Sequence, residues 1–508
     1  LKQLKRYLGN RGCIMKELKK KIKSFSCYRK VYIFTLFFCN VSFLQIPAYI
    51  LVAFLFCWGI WLTYYKQKTN NTFFKLRFGL WVWGFLAVSL LTMLLNFTYT
   101  IFYSALMFLH ILICFFIFYG MHTEPDFDFK NELYTVARGI VYITTIANFI
   151  GIFCLMFNIR FEWYWIKFTI YENRFTGIYI NPNLLGFVSC VAIFCCHILC
   201  KPDFQNAVNQ RKVSKIWIVA CMCTSLFSLL LCDSNASMVL ILAYMIVYIV
   251  YQFFAAKDGL SPAKVTMRIV ALVLVGTFLV GSSLMFREIC QQGFAVVTAK
   301  TYSLLDEITG KEQSDTDEQP KQNDSDNNKT AAPSDKGPIT FEHENSNIDS
   351  GRFKLYRESL DLFKISPVFG ISNGNIVFYS QEYANGTLKY TYHNNDLHNG
   401  FLTILVSTGV LGFVIFGIFG FRFAKHAAQH LFLQKKTFKN DAYPCMFAFL
   451  SAYLFYALFE KALLYDISFM VMWFWLIMGY TSCYIAKFEP MLETRYLFHQ
   501  KRLHRSLL

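Results

Sequence analysis

"YHNNDLHNGFLTILVSTGVLG", residues 392–412, sets two histidines, three asparagines and an aspartate directly against a long apolar run. The apolar half continues to residue 423. That is enough for a helix rising 1.5 Å per residue to cross a hydrocarbon core of roughly 30 Å. The polar half then sits at a membrane surface, where it serves either as a helix cap or as a chemical site.

The same apolar pattern recurs from end to end. Of the 508 residues, 55% are hydrophobic and 19% aromatic, and twelve apolar segments lie at 31–46, 48–65, 79–97, 101–119, 134–157, 183–200, 215–232, 236–254, 269–286, 401–423, 443–459 and 462–486. The chain reads as an all-α polytopic membrane protein with about twelve transmembrane helices. The first two segments form one block, expected to divide at Pro47 because proline favours a turn.

A net charge of +17 would suit nucleic acid if it covered one soluble domain, but eleven Lys or Arg fall in residues 1–30 beside a single acid, Glu17. No nucleic-acid partner is expected. The distribution is the positive-inside signature of membrane lipids' neighbours, and it places 1–30 in the cytoplasm. This segment lacks the apolar core and cleavage site of a signal peptide, and Met15 is a candidate start for a chain that opens at Leu1. The even connections, holding Lys66, Lys68, Lys75 and Arg77, then Lys201, Arg211, Lys212 and Lys215, then Lys257, Lys264 and Arg268, then Lys425, Lys435, Lys436 and Lys439, also fall inside, as does the basic tail 487–508. Loop 120–133 is acidic and gives this orientation no support. The sixteen cysteines lie mostly inside apolar runs and read as small buried hydrophobes, with neither a disulfide framework nor a metal site. His110 and His197, also inside apolar runs, read as core residues.

In this topology 31–286 holds nine crossings, 287–400 forms one large extracytoplasmic loop and 401–486 holds the last three. Residues 306–349 are polar and nearly free of large apolar side chains, a composition expected to be disordered. The part 350–400 changes character: a helix is expected after Ser350, with Phe353, Tyr356, Leu360 and Phe363 on one face and a stop at Pro367–Gly370.

The polar residues that could act together all fall on the extracytoplasmic side: Arg174, Asn183, Asp233 to Ser237 with Ser234 among them, Arg352, His393, His398, Asn399 and Asp466. Any one of them is as readily a solvated loop residue as a functional one. Helix direction adds a physical argument, because the helices after "NPN" (181–183) and "HNG" (398–400) both present N-terminal amides and the positive dipole end to the outer face, where an anion binds. Pro182 suits a first helical turn. An imidazole at such an end, beside arginines, is expected to titrate below its reference of about 6.5, which makes His398 a neutral proton acceptor. On chemistry alone a mere helix cap of His398 and Asn399 weighs as much. For His393 and Asp466 the structural role weighs more, and Gly409 and Gly412 read as close-packing positions between helices.

Four stretches in this order, "RFTGIYINPNLLG" (174–186), "DSNASMVLILAY" (233–244), "SGRFKLYRESLDLFKISPVFGISNG" (350–374) and "HNGFLTILVSTGVLG" (398–412), resemble the O-antigen ligase and O-antigen polymerase family (Wzy/WaaL type) of bacterial envelope glycan enzymes. The resemblance implies a GT-C-like membrane fold in the cell membrane and an inverting glycosyltransferase that needs no metal or other cofactor. Its donor would be an undecaprenyl-diphosphate-linked oligosaccharide and its acceptor a glycan or lipid. In this view Arg174 and Arg352 hold the diphosphate, and His398 activates or orients the acceptor hydroxyl. One departure stands out: where family members often carry Ser-Arg, this chain has Ser234 and Asn235, so a phosphate contact is either missing or supplied elsewhere, for example by Lys461. The competing class is a transporter or flippase for a lipid-linked or anionic solute. That class calls for ionisable residues at the bilayer midplane and repeated halves, whereas the charges here lie at the outer edge.

Overall fold

The computed structural model describes residues 21–70, 75–97, 100–157, 159–163, 166–171, 174–208, 210–255, 262–309, 352–389, 396–433 and 440–505. Every apolar stretch of the sequence carries a helix. In order these are α1 (Phe25–Phe38), α2 (Gln45–Asn70), α3 (Gly79–Leu95), α4 (Ile101–Ile113), α5 (Phe129–Met156), α6 (Pro182–Leu199), the short α7 (Pro202–Asn206), α8 (Lys215–Leu231), α9 (Asn235–Ala255), α10 (Pro262–Thr309), α11 (Arg352–Ile365), α12 (Ile376–Tyr383), α13 (Gly400–Leu433), α14 (Tyr443–Tyr456) and α15 (Phe469–Arg505). Among the described residues seven spans are long and apolar enough to cross a membrane, in α2, α4, α5, α6, α9, α13 and α15, and α3, α8 and α14 are shorter apolar helices. The chain is a multi-pass membrane protein. Large apolar side chains such as Phe54, Leu80, Phe102, Phe149, Ile216 and Phe421 point outward, as a lipid-facing surface requires. Inside, aromatic rings fill the gaps between helices; Trp475 is fully buried against Phe115 and gives its indole N–H to the Leu463 carbonyl (2.9 Å).

Four expectations change. First, the break between the first two helices lies at Cys39–Leu44, not at Pro47, which sits in the first turn of α2 where a missing N–H costs no helical hydrogen bond. Second, the fold is not wholly helical: strands β1 (Phe161–Trp163), β2 (Ile166–Tyr171) and β3 (Arg174–Gly177) form an antiparallel sheet. These short aromatic and β-branched runs, too brief for a helix, pair with their sequence neighbours instead. Third, α10 does not stop at 286 but runs on to Thr309, because 287–309 contains good helix formers and packs Phe294 against Phe227. It therefore takes in 306–309, while the rest of the stretch expected to be disordered, and Ser350, lie outside the described residues. Fourth, α11 forms as expected but turns a different face inward. Leu362, with Leu355 and Phe363, joins Ile371, Ile376, Leu397 and Val406 in a small separate core, whereas Phe353 and Leu360 are exposed. Glu358 is buried on this face because its carboxylate accepts the Thr387 amide (3.1 Å) and the Ser380 hydroxyl.

One end of the bundle collects buried charge. Arg29 of α1 gives Nε and Nη2 to Glu132 (2.8 and 3.0 Å) and Nη1 to Glu124 (2.6 Å), and Lys66 of α2 reaches Glu124 (2.9 Å). After Ile113 the helix continues as a π-helical turn (Cys114–Phe118) and a 3-10 turn (Tyr119–Thr123), whose loosened ladder frees carbonyls. Lys66 takes those of Phe116 and Gly120 (3.0 Å each), and Arg29 takes that of Ile117 (3.2 Å). The acidic loop that ran against the charge pattern is thus the partner of buried bases. The first described residues lie here as well, since Trp58 gives its indole N–H to the Ile22 carbonyl, and Lys487 of α15 lines the same pocket as Glu124.

At the other end, loops are tied together by their backbones. Ser42 N–H donates to the Ile178 carbonyl, and the Asn375 side-chain Nδ2 donates to the Asn96 carbonyl (both 3.0 Å). Residues 366–372 run along a break in α13 at Gly409 (φ +64°): Ile371 and Ser372 donate to Val406 and Ser407 (3.0 and 3.1 Å), and Val410 donates to Pro367 (2.8 Å). A Cβ on Gly409 would stand 2.3 Å from the Val368 carbonyl. Gly409 is therefore a crossing point of two backbones rather than a contact between helices.

Candidate functional site

The tied end brings together side chains from five parts of the chain. Arg174 opens β3 opposite Tyr171, which aims it at the turn between α8 and α9. There its Nε donates to the Cys232 carbonyl (3.1 Å), and Nη2 donates to the Asp233 carbonyl and to Asn183 Oδ1 (2.9 Å each). Asn183 lies in the first turn of α6, with Pro182 at the position expected and Asn181 as the cap that accepts the Asn183 N–H (2.7 Å). Its Nδ2 donates to Glu460 Oε1 (3.4 Å).

Glu460 is the hub. It lies in the loop after α14 and is 6% exposed. Oε1 also accepts from Arg352 Nη2 (3.3 Å), whose guanidinium rests 5.7 Å from the Phe459 ring centre, and Oε2 lies 3.5 Å from His398 Nδ1. Asp396 Oδ1 is 3.4 Å from the same nitrogen and accepts the His398 backbone N–H (2.7 Å). The loop carrying Glu460 is fixed through the Leu458 carbonyl, which accepts from Tyr356 of α11 (2.7 Å) and from Asn399 Nδ2 (2.9 Å).

The cap and the histidine separate cleanly. Asn399 caps α13, its Oδ1 accepting the Phe401 and Leu402 amides (3.0 and 2.9 Å). His398 makes no such bond. The expectation of a lowered His398 pKa is overturned: burial pulls it down, but the hydrogen bond to Glu460 and the charges of Asp396 and Glu460 outweigh burial and raise it to about 9. Two carboxylates in direct contact act more strongly than a helix end whose first amides Asn399 already occupies.

Other expected residues fall elsewhere. Ser234 is buried and bonds Ser237 (3.0 Å) beside Gly186, where the starts of α6 and α9 touch; it does not reach the arginines. Asp466 lies in the loop before α15, where Lys461 is its charged neighbour. His393 lies outside the described residues. Two residues escaped sequence reasoning. One is Glu460, for which an acid between two apolar segments was the available signal. Arg287, the first charge after an apolar run, reaches from α10 to Asp233 Oδ1 (2.8 Å) and Asn235 Oδ1 (2.9 Å). A guanidinium thus does stand beside Asn235, but it comes from another helix.

Arg174 Nη1 and Arg352 Nη1 make no hydrogen bond with any described residue, so both guanidinium groups keep donors for an anion.

Residues 220–417 match the model of the O-antigen ligase family. This region carries an O-antigen ligase domain. The matched region contains Arg287, Arg352, Asp396, His398 and Asn399. Arg174, Asn183 and Glu460 lie outside the matched residues and reach the site through β3, α6 and the loop after α14. No curated protein sequence matches the chain.

Proposed function

We propose that the protein is a metal-independent, inverting glycosyltransferase that takes a glycan from undecaprenyl diphosphate and transfers or polymerises it for a surface polysaccharide. The observation that carries this reading is the convergence of Arg174, Arg352 and His398 on one buried carboxylate, Glu460. A departing diphosphate needs fixed positive charge, which Arg174 and Arg352 supply through their remaining donors. The acceptor hydroxyl needs a base in hydrogen-bond reach. His398 fills that role through Nε2 while Glu460 and Asp396 hold Nδ1, an arrangement that makes it a strong base present mostly as its cation at neutral pH.

The basic N-terminal segment, the basic tail and the Lys- and Arg-rich connections favour a cytoplasmic position for the end that holds Arg29 and Lys66. Both termini are then inside, in the inner or plasma membrane, and the site faces the extracytoplasmic side, where a lipid-linked glycan presents its diphosphate. The test is to reconstitute the protein with lipid-diphosphate-linked oligosaccharides extracted from its host and to compare products with those of His398→Ala. A product ladder lost in the variant supports polymerisation, and a single transfer lost in the variant supports ligation. An unchanged product pattern in the variant removes His398 from the chemistry, and vectorial movement of donor without transfer favours a flippase.

A further inference from the structure

A separate cavity of about 380 Å³ opens beside the arginine cluster, within the size range of small-ligand pockets of roughly 300–1,000 Å³. Its wall comes from the start of α4 (Phe102 and Tyr103), the turn before α12 (Asn373), the approach to α13 (Asp396), its first turn (Thr403), and Lys461. Neither Arg174 nor Arg352 lines it. Asp396 belongs to both places: its Oδ1 is 3.4 Å from His398 Nδ1, and Glu460 approaches the same nitrogen from the arginine side. Asp396 therefore joins the cavity wall to His398, which is not itself part of that wall.

The cavity holds polar groups whose bonding the protein leaves incomplete. Asn373 is 92% buried, and its Oδ1 has no hydrogen-bond partner among the described residues. A buried amide oxygen without a donor is costly; as it stands Oδ1 is sealed from the cavity, and a turn about the last torsion brings either end of the amide to the wall. Lys461 donates no hydrogen bond to a described side chain and meets Asp396 and Asp466 only as charges through space. Carboxylate, amide, ammonium and a half-exposed tyrosine ring make a set suited to a pyranose, whose hydroxyls both donate and accept while its C–H face covers an aromatic ring. With acids facing Lys461, the cavity carries no excess of positive charge to select an anion.

We propose that this cavity is the subsite for the acceptor sugar, with Asn373, Asp396 and Lys461 reading its hydroxyls and Asp396 joining it to the His398 side of the site. The proposal rests on the glycosyl-transfer reading above. It places the acceptor beside Asp396 and the donor beside the arginines.

The test uses the full-length protein in lipid nanodiscs and, as probe, the oligosaccharide released by mild acid from the host's lipid-linked glycans, which lacks the diphosphate and lipid. Binding is read by saturation-transfer NMR without donor, for the unaltered protein, Lys461→Met, Asn373→Leu and the charge-keeping Lys461→Arg, with the melting temperature of each as a check on folding. The expected result is that the probe binds the unaltered protein, that Lys461→Met and Asn373→Leu weaken binding at least tenfold at unchanged melting temperature, and that in turnover they raise the acceptor KM similarly while the donor KM stays within twofold. Failure of the probe to bind the unaltered protein, equal binding by the folded variants, or a rise in donor KM alone would overturn the proposal. If the unaltered protein forms no glycosidic product but binds the probe through Lys461, the transfer reading has failed and the sugar site remains.

Discussion

Glu460 Oε2 lies 3.5 Å from His398 Nδ1 while Oε1 of the same carboxylate accepts from Arg352, so one buried acid couples the histidine to the arginines. Glu460→Gln should remove the main support for the His398 cation. As a base His398 must be neutral, so kcat/KM of the unaltered protein should climb about tenfold per pH unit below about 9 and level off above it. In Glu460→Gln the bend should move down toward the ordinary imidazole value of about 6.5, with the plateau lowered about 10²-fold. A pH–rate profile with its bend unmoved would remove Glu460 from control of His398.

The same shift has a stability consequence of definite sign. Because the folded state raises the pKa of His398 from 6.5 to about 9, its contribution is complete below pH 6.5 and disappears as the pH rises through about 9. The melting temperature of the unaltered protein relative to His398→Gln should therefore fall across that window, as thermal scans at pH 6, 7.5 and 9.5 would show.

Arg174 and Arg352 should respond differently to lysine. Arg174 makes three bonds to the turn after α8 and to Asn183, which a lysine cannot reproduce, so Arg174→Lys should lower both melting temperature and turnover. Arg352 makes one bond of 3.3 Å, and Arg352→Lys should leave folding intact while weakening donor binding by about 1.5–3 kcal/mol, the size of one charge-assisted contact. Equal donor KM for Arg352→Lys and the unaltered protein would argue against a bidentate anion contact.

Gly409 should be intolerant of any side chain. At φ +64° an alanine is strained by about 1–3 kcal/mol, and its Cβ would meet the Val368 carbonyl at 2.3 Å, so the 366–372 segment must move. That segment links α11, with Arg352, to α13, which follows His398. Gly409→Ala should therefore lower activity as well as melting temperature, whereas Gly417→Ala, with open space around its Cβ, should change neither.

At the opposite end, Glu124→Gln leaves Arg29 and Lys66 with one charge fewer in a buried place. The expected loss is about 3–5 kcal/mol, read as a lower melting temperature in detergent with acceptor and donor KM unchanged in the folded fraction.

Hydropathy by itself determined that the chain is a multi-pass helical membrane protein and where most of its apolar helices begin to within a few residues, because lipid demands long apolar runs whose backbones bond internally. Side-chain type and order likewise marked Arg174, Asn183, Arg352 and His398, as charged or amide groups set against helix starts. Local propensity was weaker evidence where short pieces compete, and it missed the strands at 161–177 and the real break at 39–44. Only the tertiary structure decided that Glu460 is the meeting point and that Arg287 stands beside Asn235, since the contacts with Arg352, Asn183 and Arg287 join residues 108, 277 and 52 positions apart. It also reversed the expected charge of His398. A helix dipole can be read from neighbouring residues, but a carboxylate 62 positions away acts on the imidazole only once the chain has folded.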